Sequence, residues 1–572
     1  MSRPHTLSWL DAPRDDTGVE MFDATSHTYR PYTELADQAA RIAGGLIAAG
    51  VPHGAAVPLL CSTGPDLVAA FYGVQAAGCV VSVLAPPTGM SGEAARAHVR
   101  AVVAAVGADT VLVDAAHRAY AVDVLAEAAP YTRVLLLEEL TAAAPGGRDA
   151  AEQALVQFTS GSSGNPRGVR ISHAALDANT AAIRAWERAG RDDSWCSWLP
   201  MHHDMGLIGC LVVPVSGNNR LAVCRPETFL RHPLAYLNRF DANRVEQPAT
   251  ITATPAFGLQ RIVDRVGHAD LAGADLSGVR AVIVGAERID PALVTRFTGL
   301  LSPYGLSPRT LTPAYGLAES TLAVTGVPVE EAPRAVRVHR DGLRVGERVG
   351  LAGEDPDRET VRVMSCGRAL DGLTVRVVGE DGEPLPEGYV GELAVTGTSL
   401  ADGYLADGSA GSTSLADGRL LTRDVAFALA GEFYVLGRLG DSVKVHARSL
   451  FAEDVELMLG RAGLNPSRIC VVLGEADGRA HAVAVLEGLD ERAAEVARDV
   501  LASACPGTRR HVARVPRGAI PRTSSGKSRR RQLWQRLSTE YVLDAGDRAS
   551  AADAAPAPDP DPVPAATTDT PG

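Results

Sequence analysis

The sequence predicts an α/β protein of more than one domain, and three observations carry that prediction. The chain has 572 residues, too many for one ordinary core. Roughly its first 140 residues alternate helical and strand patterns, the mark of parallel α/β layers. From about residue 373 the texture changes to paired period-2 runs around Gly/Pro turns, and α/β alternation resumes near residue 440.

Taken in order, "YTELADQAARIAGGLIAAGV" places Leu35, Ala39, Ile42 and Leu46 on one helical face, with Gly50 as the C-cap. A strand "AVPLLC", a helix "GPDLVAAFYGVQAAG" and a strand "CVVSVLAP" follow. "TVLVD" and "RVLLLEEL" read as further strands, each after an alanine-rich helical stretch. "RAVIVGAERI" reads as a buried strand from Ala281 to Val284 that runs into a turn at Gly285. "LTVRVVGEDGEPLPEGYVGELAVTG" and "LLTRDVAFALAGEFYVLGR" read as hairpins, "SLFAEDVELMLGRAG" as a helix and "ICVVLGE" as a strand. Residues 545–572 are Ala/Pro/Asp-rich with almost no large apolar side chains, so a disordered tail is expected there.

Composition narrows the function. A hydrophobic content of 46% with 22% charged residues fits a soluble globular chain. A net charge of −13 argues against nucleic acid as a partner, because phosphate backbones recruit basic surfaces. No apolar run reaches the roughly 20 residues of a membrane span, and the N-terminus has no signal-peptide pattern. The eight cysteines lie far apart without a C-x-x-C pair, which fits reduced, buried thiols and a cytoplasmic location.

The most informative stretch is "LVQFTSGSSGNPRGV". An apolar strand ends in Thr159, Ser160, Gly161, Ser162, Ser163 and Gly164, six residues without a bulky side chain. Such a run lets backbone N–H groups and hydroxyls converge on an anion, and Arg167 adds a cation. It is not a Walker loop. That motif needs Gly five residues before Gly-Lys-Ser/Thr, and the position five before Gly526-Lys527-Ser528 is Pro521. Lys527 is itself unusual, since of 55 basic residues only Lys444 and Lys527 are lysine.

"FTSGSSGNPRGV" resembles the phosphate loop of the adenylate-forming superfamily, which includes acyl-CoA synthetases, peptide-synthetase adenylation domains and luciferases. "GAE" (285–287), "AYGLAEST" (314–321), "LLTRDVAF" with "LGRLGDSVKV" (420–445) and "PRTSSGKSRR" follow in the family's order. The resemblance covers about residues 20 to 540. It implies a large N-terminal α/β domain (1–437) with layered sheets and a distorted β-barrel subdomain (373–437). It also implies a small mobile C-terminal α/β lid (438–544).

In such enzymes a carboxylate attacks the α-phosphate of ATP to give an acyl-adenylate and pyrophosphate, and a thiol then takes the acyl group. The resemblance implies that Tyr315 stacks on adenine beside Gly285, Ala286 and Glu287, with Gly316 and Ala318 also lining the nucleotide. Glu319 is implied to hold Mg²⁺, and Asp424 to bind the ribose hydroxyls, helped by Arg438. Lys527 is the implied catalytic cation, a compact charge that suits a site bridging two developing negative groups.

"WLPMHHDMGLIG" and Ala318 in "YGLAEST" resemble the fatty acyl-AMP ligase branch, where His203 takes the position of a substrate-pocket histidine. Residues 331–366 resemble the insertion that distinguishes that branch from CoA ligases. The implied reaction is activation of a medium- or long-chain fatty acid to acyl-AMP. Transfer would follow to the phosphopantetheine of a separate holo acyl carrier protein, in lipid or polyketide/lipopeptide biosynthesis. Alternatives from the same residues are an acyl-CoA ligase, an adenylating enzyme for a small acid, and a catalytically degenerate binding protein. Three departures stand out. Arg167 replaces the usual lysine, "VHARSLFAED" differs from "RGRNHYPQD", and Arg423 replaces a turn glycine, where it is placed to pair with Asp424. Arg529 to Arg531 read as a solvated basic face.

Overall fold

The computed structural model describes residues 3–87, 92–129, 131–159, 167–340, 343–353, 360–406, 413–445, 448–476, 478–522 and 527–538. Ser160 to Gly164 and the expected tail at 545–572 lie outside the described residues.

The apolar runs form two large sheets. In one, Gly18–Phe22, Arg220–Val223, Ser194–Ser197, Ile251–Pro255, Ala281–Gly285 and Leu311–Gly316 lie parallel and adjacent, with antiparallel strands at both edges. In the other, Ala56–Leu60, Val80–Val83, Thr110–Val113 and Arg133–Leu136 join the parallel strand Gln153–Thr159, which turns back antiparallel as Arg167–Ser172. Parallel strands need cover on both faces, which is why they read as unbroken apolar runs.

Between the layers sits helix Tyr32–Ala48, with Leu35, Ala39, Ile42 and Leu46 fully buried. It packs on Pro65–Ala76, a helix buried all round, where a Cβ at Gly73 would approach the Ile42 side chain to 2.8 Å. Its N-terminus lacks a side-chain cap. That omission costs about 1 kcal/mol. Burying Leu35, Ile42 and Leu46 returns about 1.5–3 kcal/mol each, so packing decides the helix. The expected cap glycine, Gly50, lies just past it at φ +75°.

The expected hairpins are present: Leu373–Val378 pairs with Gly391–Gly397, and Arg419–Leu429 with Glu432–Arg438. Val338, Val361 and Val363, from the segment at 331–366, share their core with Val425, Phe427 and Tyr434. Beyond residue 440, strands Ile469–Ala476, Arg479–Glu487 and Arg509–Val515 form a sheet flanked by helices Ala452–Arg461, Glu491–Ala504 and Arg530–Leu537. This region has apolar clusters of its own.

Two element boundaries differ from the sequence reading. "RVLLLEEL" is strand only to Leu136, after which Leu137–Leu140 makes a helical turn. "SLFAEDVELMLGRAG" begins as strand Arg448–Phe451, paired antiparallel with Ser442–Val445, and becomes helix only at Ala452. Phe451 explains the shift, because its ring is buried among Val425, Phe427 and Leu436 across the chain. All eight cysteines are free, seven of them buried. Among the described residues no helix is long and apolar enough to cross a membrane.

Candidate active site

The C-terminal ends of the parallel strands open into a cleft of about 1580 Å³. Its lining includes Thr159, Arg167, His203, Gly285, Ala286, Glu287, Tyr315, Gly316, Ala318, Glu319, Asp424, Arg438 and Lys527. Residues spread over more than 360 positions thus meet in one place.

The best-defined group is built from the strands Leu311–Gly316 and Arg419–Leu429. The Tyr315 hydroxyl donates to Asp424 Oδ2 at 2.6 Å, and Arg438 Nε lies 3.2 Å from Oδ1. Arg438 also donates to the Thr413 hydroxyl at 3.1 Å and stands opposite Asp424 in the hairpin register. Burial pushes the Asp424 carboxyl up, and Arg438, the Tyr315 hydroxyl and then Lys527 oppose it. Strand Leu311–Gly316 can turn here only because Gly316 has no side chain, since a Cβ would sit 1.9 Å from the Leu322 carbonyl oxygen.

Arg423, next to Asp424, does not pair with it. Its backbone N–H donates to Glu392 Oε1 at 2.7 Å, and its guanidinium lies 3.8 Å from the other Glu392 oxygen. It holds φ +64°, the left-handed conformation for which glycine is suited. The expected pairing is therefore corrected: the cation turns away while the backbone keeps the glycine's shape.

A second group surrounds the segment 160–166. Thr159 and Arg167 face each other across the antiparallel strands that bracket it. The Arg167 guanidinium lies 3.5 Å over the Tyr404 ring, and the Tyr404 hydroxyl donates to Glu319 Oε1 at 2.7 Å. Among the described residues the buried Arg167 Nε has no hydrogen-bond partner, a donor left over for an anion. Burial pushes the Glu319 carboxyl up, so a cation beside it would relieve a real cost. No cluster of three metal-ligating side chains stands among the described residues. A single carboxylate such as Glu319 is the kind of hard oxygen ligand that a phosphate-bound divalent ion takes.

The third group is on the acid side. His203 Nδ1 lies 2.6 Å from Asp204 Oδ1, and Asp204 caps the π-helix Met205–Val212. Gln157 donates to the His202 carbonyl at 2.9 Å, tying this turn to the strand before the small-residue loop. Burial alone would raise Asp204, but His203 and Lys527 outweigh it and hold the carboxyl below its ordinary range. The Lys527 charge thus favours the ionised form of both Asp204 and Asp424.

Lys527 arrives from the far end of the chain. Just beyond it, Arg529 N–H donates to the Pro521 carbonyl at 2.8 Å. The region that carries it is fastened across the cleft by a buried Arg288–Asp454 ion pair and by Arg461 on Asp290 at 2.8 Å. Arg530 does not belong to a solvated basic face. Its guanidinium reaches Asp441 at 3.1 Å, Glu453 at 2.8 Å and Glu456 at 2.7 Å. Sequence reading missed Tyr404, Asp204 and the Arg288–Asp454 pair; only "HHD" carried a local signal, its histidine beside a carboxylate.

The profile of the AMP-binding enzyme family matches residues 11–405. The chain belongs to the AMP-binding enzymes. This AMP-binding enzyme is 31% identical over 536 residues to a Caulobacter vibrioides protein provisionally named an acyl-CoA synthetase, covering 90% of this chain and 92% of that one. It is 28% identical over 573 residues to the long-chain-fatty-acid–AMP ligase FadD26 of Mycobacterium marinum, covering 93% and 94%. Its fold matches a solved structure from a study of fatty acyl-adenylate ligases of E. coli and L. pneumophila. That match has a TM-score of 0.84 at 26% identity and covers 94% and 97% of the two chains.

Proposed function

We propose that this AMP-binding enzyme activates a fatty acid with ATP, forming acyl-AMP and releasing pyrophosphate. The observation that carries the reading is a single cleft lined by His203 and Asp204, by the Tyr315–Asp424–Arg438 group and by Lys527. In this reading Asp424 accepts the ribose hydroxyls and Tyr315 covers the adenine, with Gly285, Ala286 and Glu287 along its edge. Thr159 and Arg167 bracket the phosphates, and the loop residues 160–164 complete that cradle. Mg²⁺, when bound at Glu319, supplies positive charge to the phosphate oxygens. His203, oriented by Asp204, sits toward the acid. Lys527 stabilises charge that develops on the carboxylate and the α-phosphate oxygens together.

The acyl group would then pass to the phosphopantetheine thiol of a separate holo acyl carrier protein, in lipid or polyketide/lipopeptide assembly. Support comes from the segment at 331–366. Its valines share a core with the β-rich region and with Phe451, and Arg340 donates to Met458 Sδ at 3.5 Å. It thereby touches both the β-rich region and helix Ala452–Arg461 of the region that carries Lys527, an arrangement that opposes rotation toward a free thiol such as CoA. Purified enzyme, ATP and a panel of acids, followed by mass detection of acyl-AMP, tests the activation step. Repeating it with CoA and with holo carrier protein tests the acceptor. Acyl-CoA as the main product would overturn the carrier-protein reading, and the absence of any acyl-AMP would overturn the activation itself.

A further inference from the structure

The same cleft has a deep wall, and that wall is polar. Trp195 pairs in register with Ile251, and Ile251 with Ala281, four residues before the Pro255–Gly285 pair. Trp195 therefore stands about 13 Å down the strands from Gly285, at about 3.3 Å per residue. Ile183, Trp186, Cys210 and Glu187 line the cleft with it. Glu187 is the C-cap of helix His173–Trp186 and is 1% exposed.

Among the described residues its Oε2 has no hydrogen-bond partner, and neither has the indole Nε1 of Trp195, also 1% exposed. Arg184 and Arg280 favour the ionised form of Glu187, and Asp193 opposes it. Both arginines are directed elsewhere, Arg184 to the Val213 carbonyl and Asn219, Arg280 to Asp193. A helix C-terminus gives a carboxylate no support either. Burial dominates and lifts the Glu187 carboxyl from 4.5 to about 8, so it is neutral near pH 7. A bare hydrocarbon end against this wall would leave a carboxyl and an indole N–H both buried and unpaired.

We propose that Glu187 and Trp195 recognise a hydroxyl near the far end of the acid chain, making the preferred substrate an ω-hydroxylated fatty acid. A hydroxyl donates to Glu187 and accepts from Trp195 N–H, so one small group satisfies both. An ammonium has no lone pair for the indole, and a second carboxylate would place like groups together. The inference rests on the acyl-AMP reading and deepens it. A site built to bond a hydroxyl discriminates against the analogue lacking it more strongly than an apolar pocket rejects an added one.

The test compares dodecanoic, ω-hydroxydodecanoic and ω-aminododecanoic acids with the full-length enzyme. Acyl-AMP is measured by mass, and acid binding is measured separately, without ATP, by the shift in Tm. The hydroxy acid is expected to be favoured over the plain acid by roughly 10- to 100-fold in kcat/KM. Glu187→Leu should reverse that ratio, whereas Glu187→Gln, which keeps a donor and an acceptor, should retain most of it. A wild-type preference for the plain or the amino acid overturns the proposal, as does an unchanged ratio in Glu187→Leu. The wild-type ratio stands whether or not the leucine variant folds. If no acid gives acyl-AMP, the activation reading fails, and the binding ratio still decides the hydroxyl assignment.

Discussion

Arg530 is 17% exposed and divides its guanidinium among Asp441, Glu453 and Glu456, all within its own region of the chain. Lys527, three residues earlier, faces the cleft and acts on Asp204, Glu287 and Asp424, which come from three distant stretches. The two cations carry the same charge into opposite roles. A planar fork suits a site where several acceptors are fixed in place, and burial raises the cost of leaving any of them unpaired. A compact ammonium suits a site where the acceptors change during reaction. That contrast explains why a chain with 55 basic residues and only two lysines keeps a lysine here.

The largest expected effect comes from removing the cleft cation. Lys527→Ala should slow acyl-AMP formation by roughly 10²–10³, the scale of losing one transition-state donor. Its melting temperature should barely move. Near-normal pyrophosphate release from that variant would erase the contrast. Arg530→Ala should do the reverse, destabilising the protein by about 3 kcal/mol because three half-buried carboxylates lose a shared partner. Chemical denaturation reads this directly, and an unchanged midpoint would show that the carboxylates repack or protonate without cost.

Glu187 sharpens the comparison from a third side, as a buried charge-bearing group without a committed partner. Its folded pKa is raised from 4.5 to about 8 by burial, with Arg184 and Arg280 opposing and Asp193 adding to it. Between those values the folded state holds a proton that the unfolded chain has released, so stability falls as pH rises through that window. Glu187→Gln should flatten this stretch of the stability–pH curve, measured by urea melts at about pH 6 and about pH 8. An identical slope in wild type and variant would remove Glu187 as its source.

The smallest effect concerns Arg423. Arg423→Gly should stabilise the protein by about 1 kcal/mol by relieving the φ +64° backbone, with the long 3.8 Å pair to Glu392 contributing little. Acyl-AMP formation should not change. A fall in ATP affinity would show that the guanidinium reaches the ribose after all.

Much of this was readable from residues in order. Strand-then-small-residue at 153–159, Ala281 to Gly285 and the hairpins near 373 and 420 each signal themselves within one short window. So did the candidate residues, because their motifs are local even though their meeting place is not. What escaped was assembled from afar. Arg530 looked solvated because Asp441, Glu453 and Glu456 are 74 to 89 positions away. Glu187 gave no signal at all, since nothing in "RAWERAG" says that this helix end is buried. Phe451 ended a strand rather than opening a helix because its ring fills a core built from another region.

The Arg288–Asp454 pair has a kinetic meaning. Its side chains are 9% and 5% exposed, so any motion that withdraws Lys527 as a body must first pull a buried cation away from a buried anion. Rehydrating them recovers only a fraction of that attraction at the moment of separation. Separating the two segments would be an activated event with its own clock.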